Sequence, residues 1–213
     1  MSFDIFICGV GGQGLVLLTN ALGRACLKSG LKAVTGEMYG LSQRSGTVSV
    51  HMRIGEDAHS PLISIGGADA LVALEAIEAL RYIEYLKKGG LVLMNSRIMH
   101  PPVETAGLVK DRSRKYFTLE EAVSRVKRWT SRVAVINALA TAKESGNPNA
   151  ENTVFLGCLS ALRELPLDPE KVKEAIAEVV PRGTVDQNLK AFEIGMRMAS
   201  EALCDFGVCR NLR

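Results

Sequence analysis

The chain has 213 residues, 47% of them hydrophobic and 23% charged, which is the composition of an ordinary globular protein. Its net charge of +3 is too small to indicate a nucleic-acid-binding protein. No apolar run approaches the ~20 residues that span a bilayer, and the N-terminus lacks the pattern of a signal peptide. We therefore expect a cytoplasmic protein that binds neither nucleic acid nor membrane.

The N-terminal segment predicts a strand, a glycine turn and a helix. Phe3–Cys8 is mostly apolar, and Leu15–Lys28 has the spacing of an amphipathic helix. Such an order opens a βαβ unit, in which glycines let a ligand approach the backbone and the helix N-terminus attracts an anion. The same turn needs glycine for packing alone, so the spacing leaves open whether a phosphate binds. The candidate ligand-facing or partner-facing residues here are Gly9, Gly11, Gly12, Gln13 and Gly14.

A polar loop follows the second predicted strand, Lys32–Glu37. Glu37, Ser42, Gln43 and Arg44 lie at or beyond the C-terminal end of this strand, the edge at which open α/β sheets bind ligands. Arg44 can grip a carboxylate or phosphate through two hydrogen bonds, with Ser42 and Gln43 orienting it. Alternatively, Glu37 and Arg44 pair with each other and only order the loop. Glu37 is also the one candidate for the ribose-binding acid of a dinucleotide site.

The next segment predicts an antiparallel hairpin added to the sheet. Thr47–Ile54 alternates apolar and polar residues, as expected of a half-exposed strand, and Pro61–Ile65 is a short apolar return strand. His51 lies on the polar face of the first strand. It is either a general base or, because no carboxylate is fixed near it by sequence spacing, a surface or loop-anchoring residue, so we name no catalytic residue.

The rest of the chain continues the α/β pattern and then becomes helical. A second strand–helix–strand unit indicates a doubly wound sheet. The sequence therefore predicts an α/β fold with a doubly wound, mostly parallel sheet, an added antiparallel hairpin and a helical C-terminal third, in a single domain over residues 1–213. The predicted strands are Asp69–Leu74, Leu91–Asn95 and Arg132–Ile136. The predicted helices are Glu75–Lys88, Phe117–Lys127, Ala138–Glu144, Asn152 or Thr153 to Leu165, Asp168 to before Pro181, and Asp186–Leu203. Thr118 and Glu121 form a capping box at the start of the second of these helices.

The cysteines and the basic clusters give weaker signals. None of the five cysteines forms a Cys-x-x-Cys pair, so we expect no iron–sulfur cluster or other metal site held by this chain alone. We expect Cys8, Cys26 and Cys158 to be small core residues of a protein in a reducing compartment. Cys204 and Cys209 lie in the C-terminal tail. The basic clusters 110–115 and 125–128 are either solvated faces or a docking surface for an acidic protein.

Five segments carry a resemblance that covers nearly the whole chain. Together they resemble the beta subunits of indolepyruvate:ferredoxin oxidoreductases, which correspond to the gamma-type domain of the 2-oxoacid:ferredoxin oxidoreductase family. The Gly-Leu-Ser-Gln-Arg loop is a specific signal and resembles the indolepyruvate branch more than the pyruvate branch. The sequence departs from the family pattern at Tyr39, where histidine is frequent, and at Ser45, where a second glycine is frequent. The segments are Gly9–Gly14, Glu37–Gly46, Val50–Gly55, Asn152–Gly157 and Asn188–Gly195.

The resemblance implies a reaction and a division of labour. An aryl 2-oxoacid would be oxidatively decarboxylated to an acyl-CoA with reduction of ferredoxin. Thiamine diphosphate, Mg²⁺ and the 4Fe-4S clusters would belong to the alpha subunit, with coenzyme A as co-substrate, and this chain would complete the complex. The chain has no Gly-Asp-Gly segment of the kind that holds the magnesium of thiamine diphosphate. The alternative is a stand-alone Rossmann-like oxidoreductase that binds NAD or FAD at Gly9–Gly14.

Overall fold

The computed structural model describes residues 2–40, 46–99 and 116–210. Its centre is a six-stranded sheet with the order β2-β3-β1-β4-β5-β6. The strands are β1 (Phe3–Val10), β2 (Ala33–Tyr39), β3 (Thr47–Ile54), β4 (Ala68–Ala73), β5 (Leu86–Asn95) and β6 (Val133–Ile136). The helices of the described residues are α1 (Leu15–Lys28), α2 (Ala76–Tyr82), α3 (Leu119–Val126), α4 (Ala138–Glu144), α5 (Glu151–Ser160), α6 (Pro169–Val179) and α7 (Val185–Leu203).

The predicted fold class is confirmed, because only β3 runs against the other strands. β1, β4, β5 and β6 form parallel pairs in turn. β3 is antiparallel to both β1 and β2, so β2 points in the same direction as β1. The sheet is therefore mostly parallel, with a β2–β3 antiparallel hairpin at one side.

The predicted partner of β3 is wrong. We expected it to pair with residues 61–65, but these form no strand, and β3 instead lies between β2 and β1. The expected half-exposed strand is also buried on both faces: Val50 and Met52 face one core, while Ser49 and His51 are buried on the other side. Alternation of polar and apolar residues misled the prediction because the polar face is covered as well.

Helices cover both faces of the sheet, as a doubly wound fold requires. Alternate residues of β1 face opposite cores: Ile5 and Ile7 belong to a large core with α1, α4, α5, α6 and α7. Phe6 and Cys8 belong to a smaller core with α2 and α3. The helical C-terminal third thus packs on the same face of the sheet as α1.

Several element boundaries agree with the sequence prediction, but those between α2 and β5 do not. β3, α1 and α4 have the predicted bounds, and the Thr118 capping box and the Asp168 cap are confirmed. The helix predicted over Glu75–Lys88 ends at Tyr82 and continues as a short 3₁₀ turn, and β5 begins at Leu86. Gly89, with φ +75°, lies within β5 where the register against β4 shifts. Gly89, which directly follows the predicted helix, therefore marks an irregularity in a strand and not the end of that helix.

The start and end of α5 also differ from the prediction. The helix begins after Ala150, not at a cap formed by Asn152 or Thr153, and it ends at Ser160 rather than Leu165. Both polar side chains are occupied elsewhere: Asn152 bonds to the glycine turn, and Thr153 donates to Asn188 Oδ1 at 2.7 Å. Tertiary contacts therefore replace the local caps.

Candidate functional site

A cleft opens at the point where the connections of the sheet diverge. The chain leaves β1 toward α1 on one face of the sheet, and it leaves β4 toward α2 on the other face. Ligands of open α/β sheets bind at this switch point, outside the C-terminal ends of the strands. The cleft measures about 620 Å³, and its walls include Gly11–Gly14, Leu74, Asn95, Arg97, Glu151 and Asn152.

The glycine turn supplies an open backbone surface. Gly12 and Gly14 have φ of +93° and +75°, which favour glycine, and a Cβ on Gly12 would meet no atom within 4 Å. Gly14 is the N-cap of α1, and no side chain caps this helix. Among the described residues, the N–H groups of Leu15 and Val16 in the first turn of α1 therefore remain available to an anion, whereas the Leu17 N–H donates to the Gly14 carbonyl at 3.0 Å.

Gln13 and Gly9 have roles in the framework of the turn. Gln13 Oε1 accepts from the Val10 N–H at 2.7 Å, and its Nε2 donates to the Leu74 carbonyl at 3.1 Å. The side chain thus joins the C-terminal ends of β1 and β4. A Cβ on Gly9 would come within 2.7 Å of Gln13 Oε1 and 3.1 Å of Leu74 Cβ, so glycine is required there for packing.

Asn152 holds the glycine turn from the opposite wall. It lies in the first turn of α5 and donates through Nδ2 to the carbonyl of Gln13 at 2.9 Å and to that of Gly14 at 3.2 Å. A Cβ on Gly14 would overlap this amide nitrogen. The helical third of the chain therefore fixes the position of a turn near the N-terminus.

A charged cluster forms the wall beside the ends of β4 and β5. Arg97 pairs with Glu151 at 3.1 Å while its side chain stays 39% exposed. Asn95 donates to the Leu74 carbonyl at 3.2 Å and to Glu151 at 3.4 Å. Because Arg97 pairs with one carboxylate among the described residues and remains open to solvent, its guanidinium can bind a second anion, either a carboxylate or a phosphate.

Glu75 fixes the rim of the cleft. The residue is almost fully buried and caps α2 by accepting from the N–H groups of Ile77 and Glu78. Its other oxygen accepts from the Met99 N–H at 3.0 Å, which holds the segment after β5 at the cleft. Burial raises the pKa of Glu75 above its ordinary value, although its hydrogen bonds with backbone N–H groups act in the opposite direction.

Glu37 is not brought to the glycine turn. β3 separates β2 from β1, which places β2 two strand spacings, roughly 10 Å, from the turn. Glu37 lines a different groove, of about 510 Å³ between α1 and β2, and accepts a hydrogen bond from the Tyr39 hydroxyl. Glu37 is therefore not placed to bind the ribose of a dinucleotide held at the glycine turn.

The base of the polar loop does lie beside the glycine turn. The Gly11 N–H donates to the Gly46 carbonyl at 2.8 Å, and Gly40 pairs with Thr47 to close the β2–β3 hairpin. The predicted site residues Ser42, Gln43 and Arg44 lie outside the described residues. The hairpin that carries them is thus at the expected edge, while their own contacts stay a prediction.

His51 anchors a loop and is remote from the cleft. Its Nδ1 accepts from the Ile63 N–H at 3.0 Å, and its ring packs edge-on against Phe6 and Tyr85. Burial lowers the pKa of the imidazole, so the neutral form predominates at pH 7. The loop-anchoring interpretation is confirmed, although the residue is buried rather than at the surface.

The cysteines of the described residues are packing residues. Cys8, Cys26 and Cys158 are buried, and burial raises the thiol pKa of Cys26 to about 11 and of Cys158 to about 12. No three His, Cys, Asp or Glu side chains come together as a metal site within the part of the chain that the structure describes. No helix there is long and apolar enough to cross a membrane.

Sequence reasoning missed the residues that complete the cleft. Asn95 ends a predicted strand and Arg97 lies two residues beyond it, so their place at the C-terminal edge was a usable signal. Asn152 belongs to a segment that carries the family resemblance, but spacing along the chain gives no hint that it contacts Gly14. Glu151 carries no such signal.

Comparisons with known proteins agree on one family. The model of the pyruvate ferredoxin/flavodoxin oxidoreductase family matches residues 4–198. An indolepyruvate oxidoreductase subunit IorB from Archaeoglobus fulgidus is 42% identical, covering 93% of this chain and 96% of that protein. A 2-oxoglutarate synthase subunit KorC from Methanothermobacter thermautotrophicus is 30% identical, covering 93% of this chain and 95% of that protein. The crystal structure of a keto/oxoacid ferredoxin oxidoreductase gamma subunit from Geobacter sulfurreducens matches with a TM-score of 0.68 at 26% identity, covering 95% and 98%.

Proposed function

The chain belongs to the pyruvate ferredoxin/flavodoxin oxidoreductase family, and on that premise we propose that it is the subunit that completes an indolepyruvate:ferredoxin oxidoreductase. Its relatives are subunits of 2-oxoacid:ferredoxin oxidoreductases, so it is an oxidoreductase subunit. The complex would convert an aryl 2-oxoacid, coenzyme A and oxidised ferredoxin into acyl-CoA, carbon dioxide and reduced ferredoxin. The isolated chain is expected to be inactive.

One observation supports the aryl substrate. The chain is 42% identical to a subunit named for indolepyruvate and 30% identical to one named for 2-oxoglutarate, over almost the same length. The sequence is thus nearer to the indolepyruvate branch, in agreement with the Gly-Leu-Ser-Gln-Arg loop at positions 40–44.

The reactive cofactors are proposed to lie in the alpha subunit. When bound there, thiamine diphosphate with Mg²⁺ would supply the decarboxylation chemistry, and 4Fe-4S clusters would carry the electrons to ferredoxin. One observation supports this division: the buried cysteines of the described residues lie apart, in two different cores, and so lack the spacing of cluster ligands.

The cleft at Gly11–Gly14 is proposed to face the entrance for coenzyme A or the 2-oxoacid. Both molecules are anionic, and the cleft offers the open N-terminus of α1 opposite the exposed guanidinium of Arg97. In this position the chain would bind and orient the incoming anion and exclude water, while the bond-breaking steps take place on the partner. The predicted ligand-facing residues Ser42, Gln43 and Arg44 would extend the same rim.

Reconstitution tests the proposed function. The chain is mixed with its alpha subunit, and ferredoxin reduction is followed with coenzyme A and indolepyruvate, pyruvate or 2-oxoglutarate in turn. We expect no turnover by either subunit alone, and kcat/KM on the mixture to be highest with indolepyruvate. Turnover by the isolated chain, or a preference for 2-oxoglutarate, would contradict the proposal.

Kinetics of the complex test the cleft. Arg97→Ala is expected to raise KM for coenzyme A or for the 2-oxoacid by about tenfold, since a charge-assisted hydrogen bond contributes about 1.5–3 kcal/mol. Arg182→Ala removes an exposed arginine outside the cleft and serves as the control. The same measurement on Arg44→Ala tests the polar loop. The entrance is elsewhere if both KM values stay unchanged in both variants.

A further inference from the structure

The outer edge of β2 has no partner among the described strands. β2 is the first strand in the order of the sheet, and only β3 pairs with it. Over its seven residues it carries one charge, at Glu37, and it has neither lysine nor proline. Exposed edges are usually protected from pairing by short length, lysine, proline or a bulge, and β2 shows none of these features.

The register of the hairpin shows which groups point outward. The Gly40 N–H donates to the Thr47 carbonyl at 3.0 Å, and the Gly55 N–H donates to the Lys32 carbonyl at 2.9 Å. In an antiparallel pair such hydrogen-bonded positions alternate along the strand, so the even-numbered residues of β2 face β3. The backbone groups that face outward are those of Ala33, Thr35, Glu37 and Tyr39.

Apolar side chains accompany this edge. Leu27 is 79% exposed and Val16 is 51% exposed, both on α1 beside the strand. Met38 and Tyr39, at the end of β2, are more than half exposed. The edge therefore offers hydrogen bonds together with apolar area, which is the combination used in strand addition.

We propose that β2 pairs with β2 of a second copy of this chain, antiparallel and centred on Gly36, to form one continuous sheet across a two-fold axis. This register places Ala33 opposite Tyr39 and Thr35 opposite Glu37. Every outward backbone group of the strand then finds a partner. A two-fold interface is self-complementary, and a strand with this symmetric arrangement of outward groups meets that requirement.

Charge selects this register over its neighbours. A shift that centres the pair on Glu37 places the two Glu37 carboxylates directly opposite each other, which is unfavourable. A shift centred on Thr35 leaves the outward groups of Tyr39 without a partner. In the centred register each Glu37 instead meets the neutral Thr35 of the other copy, so no two like charges lie opposite each other.

Sedimentation of the purified chain tests the pairing, and the result does not depend on the proposed function. We expect a dimer at micromolar concentration. Thr35→Glu sets a carboxylate opposite Glu37 twice in the interface and should raise the dimer Kd by roughly tenfold or more. The double variant Thr35→Glu with Glu37→Lys should restore most of the affinity, because each new glutamate then faces a lysine. Circular dichroism shows whether each variant is folded.

Ser124→Glu adds the same charge to an exposed position of α3 and should leave the Kd unchanged. Hydrogen exchange locates the contact: the Thr35 and Glu37 amides should become protected as the chain concentration rises. A monomer overturns the proposal, as does a dimer that is insensitive to Thr35→Glu or is not restored by the double variant. Protection of these amides only on addition of the alpha subunit would assign the edge to that partner and would also overturn it.

Discussion

The two glycines of the α5–α7 crossing and Gly12 of the turn after β1 serve opposite purposes. Where α5 crosses α7, a Cβ on Gly157 would overlap the Phe192 carbonyl oxygen, and a Cβ on Gly195 would overlap the Val154 carbonyl oxygen. In the turn after β1, a Cβ on Gly12 would meet nothing, and φ alone requires glycine there. Gly157 and Gly195 allow the backbones of α5 and α7 to touch, whereas Gly12 leaves the backbone of the turn open toward the cleft.

The two regions are connected through Asn152. It lies on α5, about one and a half turns before the close contact at Gly157, and its side chain holds the carbonyls of Gln13 and Gly14. The crossing of α5 and α7 thus fixes the position of the residue that shapes the open turn. The comparison shows that glycine can be required either for the close packing of two helices or for the backbone conformation of an open turn.

The largest effect is expected at the helix crossing. Gly195→Ala should lower the free energy of unfolding by about 3 kcal/mol, because the methyl group forces α5 and α7 apart. Urea unfolding measures the change. Gly23→Ala, in the middle of α1 with no atom within 4 Å of the added Cβ, is the matched control and should be neutral or slightly stabilising. Equal effects of the two substitutions would remove the distinction between close and open glycines.

The link between the regions should give an intermediate effect. Asn152→Ala removes the donor to two carbonyls and should cost about 1–2 kcal/mol of unfolding free energy. It should also lower the activity of the reconstituted complex, since the turn loses its support. Asn149→Ala, an exposed asparagine of the same cleft, is the control. The link is not structural if the stability of the two variants is the same.

The smallest loss of stability is expected in the open turn. Gly12→Ala should cost about 1 kcal/mol, since the added methyl group meets no atom and only the left-handed backbone is strained. Gly12→Asn should cost less, because asparagine tolerates this region better. If the cleft admits an anion, both variants should raise KM in the complex more than they affect stability. A loss of stability as large as that of Gly195→Ala would mean that Gly12 is a packing residue.

Much of the fold could be predicted because its signals are local. The glycine turn and the bounds of α1, α4 and β3 depend on periodicity and end signals within a few residues. The caps at Thr118 and Asp168 likewise involve residues at most three positions apart. Such patterns depend on residues that are neighbours along the chain, and the structure confirmed the elements that they predicted.

The sequence by itself therefore determined the α/β class, the glycine turn and the resemblance to the family. Only the tertiary structure decided that β3 lies between β2 and β1, which moves Glu37 away from the turn. It also decided that Asn152 reaches Gly14, a contact that joins residues 138 positions apart. Strand order and side-chain contacts of this kind depend on how distant segments pack together in the two buried cores. The periodicity within one segment does not encode that packing.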